Sequence, residues 1–147
     1  GLRPLHIDDE LHQGRYRILH LLGRGTFADV WLAENRHYSS TRASSSVRYV
    51  AIKIMTTAEK STESQILRHL QPPAQPSYVV SLFDDFEIRG INGTHRCIVM
   101  EFLDPTPLDL EQSSVGGVLP LEISRRAVAQ FAKGLAFLHS RGVMHGG

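Results

Sequence analysis

Cysteine occurs once in the 147 residues, at Cys97. A lone thiol has no partner for an internal disulfide, and a chain so poor in cysteine fits a reducing compartment. Long hydrophobic runs are also missing: no stretch approaches the roughly 18 apolar residues of a membrane span. The first residues, Gly-Leu-Arg-Pro-Leu-His, lack the basic-then-apolar pattern of a signal peptide, so none is expected. Nor is there an excess of one charge. Sixteen Lys and Arg stand against 15 Asp and Glu, a formal net charge of +1. That argues against the basic footprint of a nucleic-acid binder and against a polybasic membrane anchor. The 8 histidines are scattered without metal-ligand spacing, and no internal repeat is visible. What remains is globular: 41% hydrophobic and 21% charged residues, in a length that suits one domain.

Residues 1–14 read as irregular and polar. From Arg15 the pattern changes. Arg-Tyr-Arg-Ile-Leu-His-Leu-Leu-Gly predicts a strand ending at Gly23, and Ala-Asp-Val-Trp-Leu-Ala-Glu predicts another after a glycine-rich turn. The serine-rich stretch Asn35 to Arg48 has no periodicity and is a solvated connector. Tyr-Val-Ala-Ile-Lys-Ile-Met is a third strand. Thr56-Thr57-Ala58-Glu59 has the spacing of a helix-opening capping box, and the helix is expected to run to about Leu70, before Pro72-Pro73. Two further strands, Tyr78 to Ile88 and His95 to Leu103, flank Gly90-Ile91-Asn92-Gly93-Thr94. The Asn-Gly pair there favours a hairpin, and its sequon is better read as that turn than as a glycan site. Three strands, one helix and two strands suit an antiparallel sheet with a helix on one face, an α+β arrangement. After a loop rich in Pro, Gly and Ser, Pro120 opens a long helix to about His139. Its Val128, Phe131, Leu135 and Leu138 lie on one stripe, and Gly142 stands where a C-terminal cap belongs.

Four features have chemical potential. Gly23-Arg24-Gly25-Thr26-Phe27-Ala28-Asp29-Val30 lets backbone approach a ligand and aim N–H groups at phosphate; alone, a glycine hairpin explains it as well. It is not a dinucleotide fingerprint, because a strand and not a helix follows. In Val50-Ala51-Ile52-Lys53, Ala51 and Lys53 share one face of a strand and Val50, Ile52 and Ile54 the other. Ala51 leaves room for a flat ring, and Lys53 lies roughly 6–7 Å further along. On the helix, Glu63, Ile66, Leu67 and Leu70 form one face, so Glu63 sits on an apolar stripe where a charge needs a partner. Lys53 is the partner of choice; taken singly, a strand-edge lysine reaching water and a solvated Glu63 near the helix start explain the two residues as well. Last, Met100-Glu101-Phe102-Leu103 ends a strand where free backbone groups could read a base edge; taken alone, an ordinary strand end explains it better.

Together these pieces resemble the N-terminal lobe of a eukaryotic protein kinase, in the order glycine loop, Val-Ala-Ile-Lys strand, helix Glu and Met-Glu-Phe-Leu hinge. A closer likeness is to the SR-protein-specific kinase group. It rests on the stretch from Gly1 to Ala33, on Gly-Ile-Asn-Gly-Thr-His-Arg-Cys-Ile-Val-Met-Glu-Phe-Leu and on Gly-Leu-Ala-Phe-Leu-His-Ser-Arg-Gly-Val-Met-His-Gly. The resemblance implies a five-stranded N-lobe over residues 15–103 after an extension of 1–14. Residues 104–147 would hold a loop, the first long C-lobe helix and the start of the catalytic loop. It implies that Leu22, Val30 and Ala51 enclose the adenine of ATP and that the backbone from Gly23 and Gly25 to Ala28 covers its phosphates. Lys53 would hold the α- and β-phosphates and pair with Glu63, and Met100 would be the gatekeeper. The Glu101 carbonyl and the Leu103 amide would bond the adenine edge. Magnesium is expected with ATP at the level of the family, its ligands being absent from these residues; a protein substrate is expected only for a full-length kinase, with no nucleic acid and no membrane, and the location is cytoplasmic or nuclear.

Three departures from the family pattern stand out. Ala28 replaces a third glycine. Lys53 and Glu63 are only 10 residues apart, a tighter connection than is usual. His145-Gly146 looks like the opening of a catalytic loop, but Gly147 occupies the place of its aspartate, and Asp-Phe-Gly is absent from the 147 residues. The expectation is therefore the ATP-binding part of a truncated serine/threonine kinase domain, inactive by itself. A non-catalytic nucleotide-binding pseudokinase or an interaction scaffold is the alternative.

Overall fold

Successive side chains of a strand point to opposite faces, and the strands of this sheet bury the same face together. The computed structural model describes residues 5–38, 47–56, 62–71, 78–91, 93–103 and 118–144. Its strands are Glu10–Leu11 (β1), Tyr16–Arg24 (β2), Ala28–Asn35 (β3), Tyr49–Met55 (β4), Leu82–Gly90 (β5) and Gly93–Glu101 (β6). Its helices are Glu63–Leu70 (α1) and Leu121–Ser140 (α2). All strands pair antiparallel in one sheet of order β1-β2-β3-β4-β6-β5. The chain divides into two units, Gly1–Ser64 with Leu82–Phe102 and Gln65–Ser81 with Leu103–Gly147.

The five strands expected from the sequence are present. Glu10–Leu11, within a stretch read as irregular, adds a sixth. Two residues carry no periodicity, which is why β1 leaves no trace in the pattern. The chain turns from β1 into β2 through three successive left-handed residues, His12, Gln13 and Gly14. Such a backbone costs about 1 kcal/mol or more at a non-glycine residue, so its surroundings must hold it in place. They do. His12 stacks on Phe86 at 4.4 Å between ring centroids, and its Nδ1 lies 3.3 Å from Asp84 Oδ2. The same oxygen accepts hydrogen bonds from Arg15 Nη1 at 2.9 Å and from Tyr16 Oη at 3.0 Å.

Tyr16 belongs to β2 and Asp84 to β5, so these contacts curl the back of the sheet around a core. Ile18, Trp31, Ala33, Val50, Ile52, Ile54, Cys97 and Val99 fill that core, with Leu5 and Leu11 packed onto it. Its one cysteine, Cys97, is a reduced, fully buried hydrophobe. Around the edge, hydrogen bonds from Arg17 and then Arg48 hold the Glu34 carboxyl below its ordinary range. At the far side Gly90 pairs with Gly93 across the tip of the β5–β6 hairpin, as the Asn-Gly signal indicated; Asn92 itself lies outside the described residues.

In the second unit, α2 starts after Pro120 and ends in a glycine cap. Gly142 has φ +72°, a left-handed value that a side chain resists. Its N–H donates to the His139 carbonyl and that of Val143 to the Leu138 carbonyl, both at 3.0 Å. Of the expected apolar stripe, Leu135 and Leu138 are half-buried, whereas Val128 and Phe131 are 68% and 71% exposed. The buried residue of this helix is Gly134, which brings its backbone against Tyr78.

Burial, followed by the negative charge of Asp84, pushes the Tyr16 phenol well above its ordinary value. A group whose neutral form is favoured in the fold contributes stability below its unfolded pKa and loses it as the pH rises further. Urea unfolding is therefore expected to show stability falling above a pH of about 10. Tyr16→Phe should cost about 1 kcal/mol at neutral pH and should flatten the alkaline decline; an unchanged alkaline slope would contradict the assignment.

Candidate functional site

Antiparallel register decides which side chains share the face opposite the core. Val30 pairs with Lys53 and Lys53 with Ile98; Leu32 pairs with Ala51 and Ala51 with Met100. Directly opposed residues in an antiparallel sheet project to the same side. Val30, Leu32, Ala51, Lys53, Ile98 and Met100 therefore form one patch across β3, β4 and β6. Ala51 and Ile98 are buried, and the other four are partly open. Leu32 and Ile98 were not singled out from the sequence, although the alternation Ala28, Val30, Leu32 pointed to the first of them.

The turn between β2 and β3 flanks this patch. Gly23 pairs with Val30, and a register shift falls between Leu21 and Gly23, so Leu22 stands at a bulge and is exposed. The Gly25 N–H donates to the Ala28 carbonyl at 2.9 Å and closes the turn. A β-carbon on Gly25 would lie 3.2 Å from that carbonyl oxygen, whereas one on Gly23 would meet nothing within 4 Å. The close approach favours glycine at position 25 and sets no such condition at 23. Phe27, at the tip, is exposed, and its carbonyl accepts from the Thr56 amide.

Lys53 meets its carboxylate. Its Nζ lies 2.6 Å from Glu63 Oε2, with the two side chains 28% and 33% exposed. The short connection does not prevent the pair, because α1 begins at Glu63 itself and presents the carboxylate from its first residue. The helix thus starts later than the capping-box spacing suggested; Thr57-Ala58-Glu59 lie outside the described residues. The buried side of α1 also differs from the expected stripe. Ser64, Leu67 and Leu70 are buried and Ile66 is 40% exposed. A serine occupies the place that a periodicity count gives to an aliphatic residue.

Ser64 is buried because it has a partner. Arg96 Nη2 donates to its Oγ at 2.6 Å. The same guanidinium forks onto Asp85, with Nε to Oδ1 at 3.0 Å and Nη2 to Oδ2 at 2.6 Å. Those bonds to Asp85 push the Arg96 pKa upward. Two opposite charges on neighbouring strands gave no sequence signal beyond ordinary strand polarity.

At the other end of the patch, Val50–Glu101 closes the β4–β6 ladder and the chain leaves the sheet at Phe102. Met100 and Glu101 are partly buried, and Leu103 is exposed. Leu103 belongs to the second unit, the other candidate residues to the first. His145, Gly146 and Gly147 lie outside the described residues. Among the described residues, no three His, Cys, Asp or Glu are grouped to hold a metal ion, and no helix is long and apolar enough to cross a membrane.

A family model described as the protein kinase domain matches residues 16–146. The chain belongs to the protein kinase family. Among curated proteins it is 34% identical to protein kinase dsk1 of Schizosaccharomyces pombe, over 99% of this chain and 27% of that one. It is 33% identical to SRSF protein kinase 3 of Mus musculus, over 96% of this chain and 25% of that one. A serine/threonine protein kinase of Aspergillus fumigatus is 31% identical, over 93% of this chain and 34% of its own length. The chain thus spans about a quarter to a third of the curated relatives it matches. A crystal structure of a kinase domain superposes with a TM-score of 0.73 at 19% identity, over 95% of this chain and 39% of that one. The fold is that of a kinase N-lobe with its antiparallel sheet, and the sequence is of the SR-protein-kinase type.

The glycine turn allows a direct check. Gly25→Ala is expected to cost about 1 kcal/mol through crowding of the Ala28 carbonyl, and Gly23→Ala to stay within about 0.5 kcal/mol of the parent. Thermal unfolding of both variants measures the difference; equal losses would place the constraint elsewhere.

Proposed function

We propose that the face carrying Lys53 binds ATP, as the nucleotide-holding part of a serine/threonine protein kinase. The observation that carries the reading is the 2.6 Å Lys53–Glu63 pair on the same face as Ala51 and Met100. Ala51 and Val30 offer a flat apolar surface for the adenine, with Leu22 and Met100 at its margins and Leu32 added by register. The backbone after Met100, at Glu101 and Leu103, supplies the groups for the base edge.

Lys53 brings a fixed positive charge toward the phosphates, and Glu63 keeps its ammonium oriented. Because the Gly25 N–H is already taken by Ala28, the amides of Thr26 and Phe27 are the donors the turn has for phosphate. Magnesium, which this family ordinarily uses with ATP, would shield the phosphate charge when bound; among the described residues no three His, Cys, Asp or Glu are grouped to hold it. Asp-Phe-Gly does not occur in residues 1–147, and Gly147 stands where the resemblance puts the catalytic aspartate. Residues 1–147 by themselves therefore hold nucleotide without transferring phosphate. The protein substrate, an Arg/Ser-rich one on the likeness to the SR-protein-specific kinases, engages a whole kinase. The lone buried cysteine and the absence of a long apolar helix among the described residues support a cytoplasmic or nuclear setting.

A second reading, a non-catalytic scaffold, draws on the exposed Val128 and Phe131 of α2. Titration with ATP separates the two. The nucleotide reading expects saturable binding by the parent chain and at least about tenfold weaker binding by Lys53→Ala, a loss of about 1.4 kcal/mol. Absence of saturation up to millimolar ATP in both chains leaves the scaffold role. Incubation of highly purified residues 1–147 with radiolabelled ATP and an Arg-Ser-rich peptide is expected to label nothing; incorporation abolished by Lys53→Ala would overturn the inactive reading.

A further inference from the structure

Lys53 does not meet Glu63 by its own means. A carboxylate on the first residue of a helix lies at the end most prone to fray, where backbone N–H groups lack helical partners. In this chain that end is fixed by the residue next to it. Ser64 directly follows Glu63, is fully buried, and accepts a 2.6 Å hydrogen bond from Arg96. Arg96 is in turn held by a two-pronged contact with Asp85, whose side chain is only 6% exposed.

The register shows why these groups converge. Lys53 pairs with Ile98 on β6, and Arg96 is two residues along β6 from Ile98, hence on the same face. Asp85 pairs with Ile98 from the other side, on β5. Two cations on successive positions of one sheet face thus grip two successive residues of the helix, Lys53 on Glu63 and Arg96 on Ser64.

From this we propose that Arg96 is a positioning residue for the Lys53–Glu63 pair: oriented by Asp85, it pins Ser64 and thereby sets the Glu63 carboxylate within reach of Lys53. Its consequence for nucleotide rests on the ATP-binding reading above. The role needs a guanidinium. A planar fork satisfies both Asp85 oxygens and still reaches Ser64, whereas the single ammonium of a lysine is a point charge without that geometry.

Two measurements on the purified chain test it. In the first, ATP and adenosine affinities are titrated for the parent, Arg96→Met, Arg96→Lys, Ser64→Ala, Glu63→Gln and the Arg96→Met/Glu63→Gln double variant. Arg96→Met and Glu63→Gln should each weaken ATP about threefold to tenfold and leave adenosine within about twofold. The double variant should be no weaker than Glu63→Gln alone, because Arg96 acts through Glu63. Arg96→Lys should not restore ATP affinity. Equal loss of ATP and adenosine, or losses that multiply in the double variant, would overturn the proposal.

The second measurement does not depend on nucleotide. Trace acylation of Lys53, read by peptide mass spectrometry, should accelerate about threefold or more on Glu63→Gln and to a similar extent on Arg96→Met or on the milder Ser64→Ala. Parent-like acylation in the folded Arg96 and Ser64 variants, with acceleration in Glu63→Gln, would overturn it. If the parent chain binds no ATP, the nucleotide reading fails, and the positioning role is decided by acylation alone.

Discussion

A lysine in the middle of a sheet can be presented to only one of two sides, and the side is set by the strand's register with its neighbours. In this chain Val30 is opposite Lys53 and Lys53 opposite Ile98. A slip of one residue on β4 would send Lys53 into a core made of Ile18, Trp31, Val50 and Ile52, where an unpaired ammonium costs several kcal/mol. The same slip would bring Ile52 and Ile54 out to the opposite face. Burial of one face therefore enforces the chemistry of the other, and the helix carboxylate, the glycine turn and the strand end near Met100 are all placed relative to that one register.

The back of the sheet bears its own polar organisation. Asp84 gathers His12, Arg15 and Tyr16 from the start of the chain. On the opposite face, in line with Val30 and Leu32, Glu34 gathers Arg17 and Arg48. Both clusters bridge strands without placing a lone charge in the core. The contrast with Lys53 is physical. Asp84 and Glu34 each hold several partners, whereas Lys53 meets a carboxylate presented from the end of a helix.

Much of this was legible in the sequence because strands announce themselves by alternation. Tyr49–Met55 was readable to the residue, and with it the face shared by Ala51 and Lys53. The Gly142 cap was readable because a left-handed helix end prefers glycine. What stayed hidden has a common cause: it lies in pairings between distant strands, or in segments too short for a period. Glu10–Leu11 has two residues. Ser64 looks like a surface residue until Arg96 is seen beside it, and Arg96 and Asp85, eleven residues apart, meet only through the β5–β6 register. Leu22 likewise looks like a regular strand residue, and only the pairing reveals the bulge.

The kinase family match opens at residue 16, yet the core does not. Leu5 and Leu11 are part of it, β1 covers the outer edge of β2, and His12 and Arg15 bind Asp84 on the far strand. The packed core thus reaches upstream of the segment that the protein kinase domain match delimits. A chain begun at Tyr16 would leave β2 as a bare edge over an open apolar surface, the combination that invites strand-to-strand association between molecules. For this sheet, the boundary of the kinase-domain match and the boundary drawn by solubility are different places.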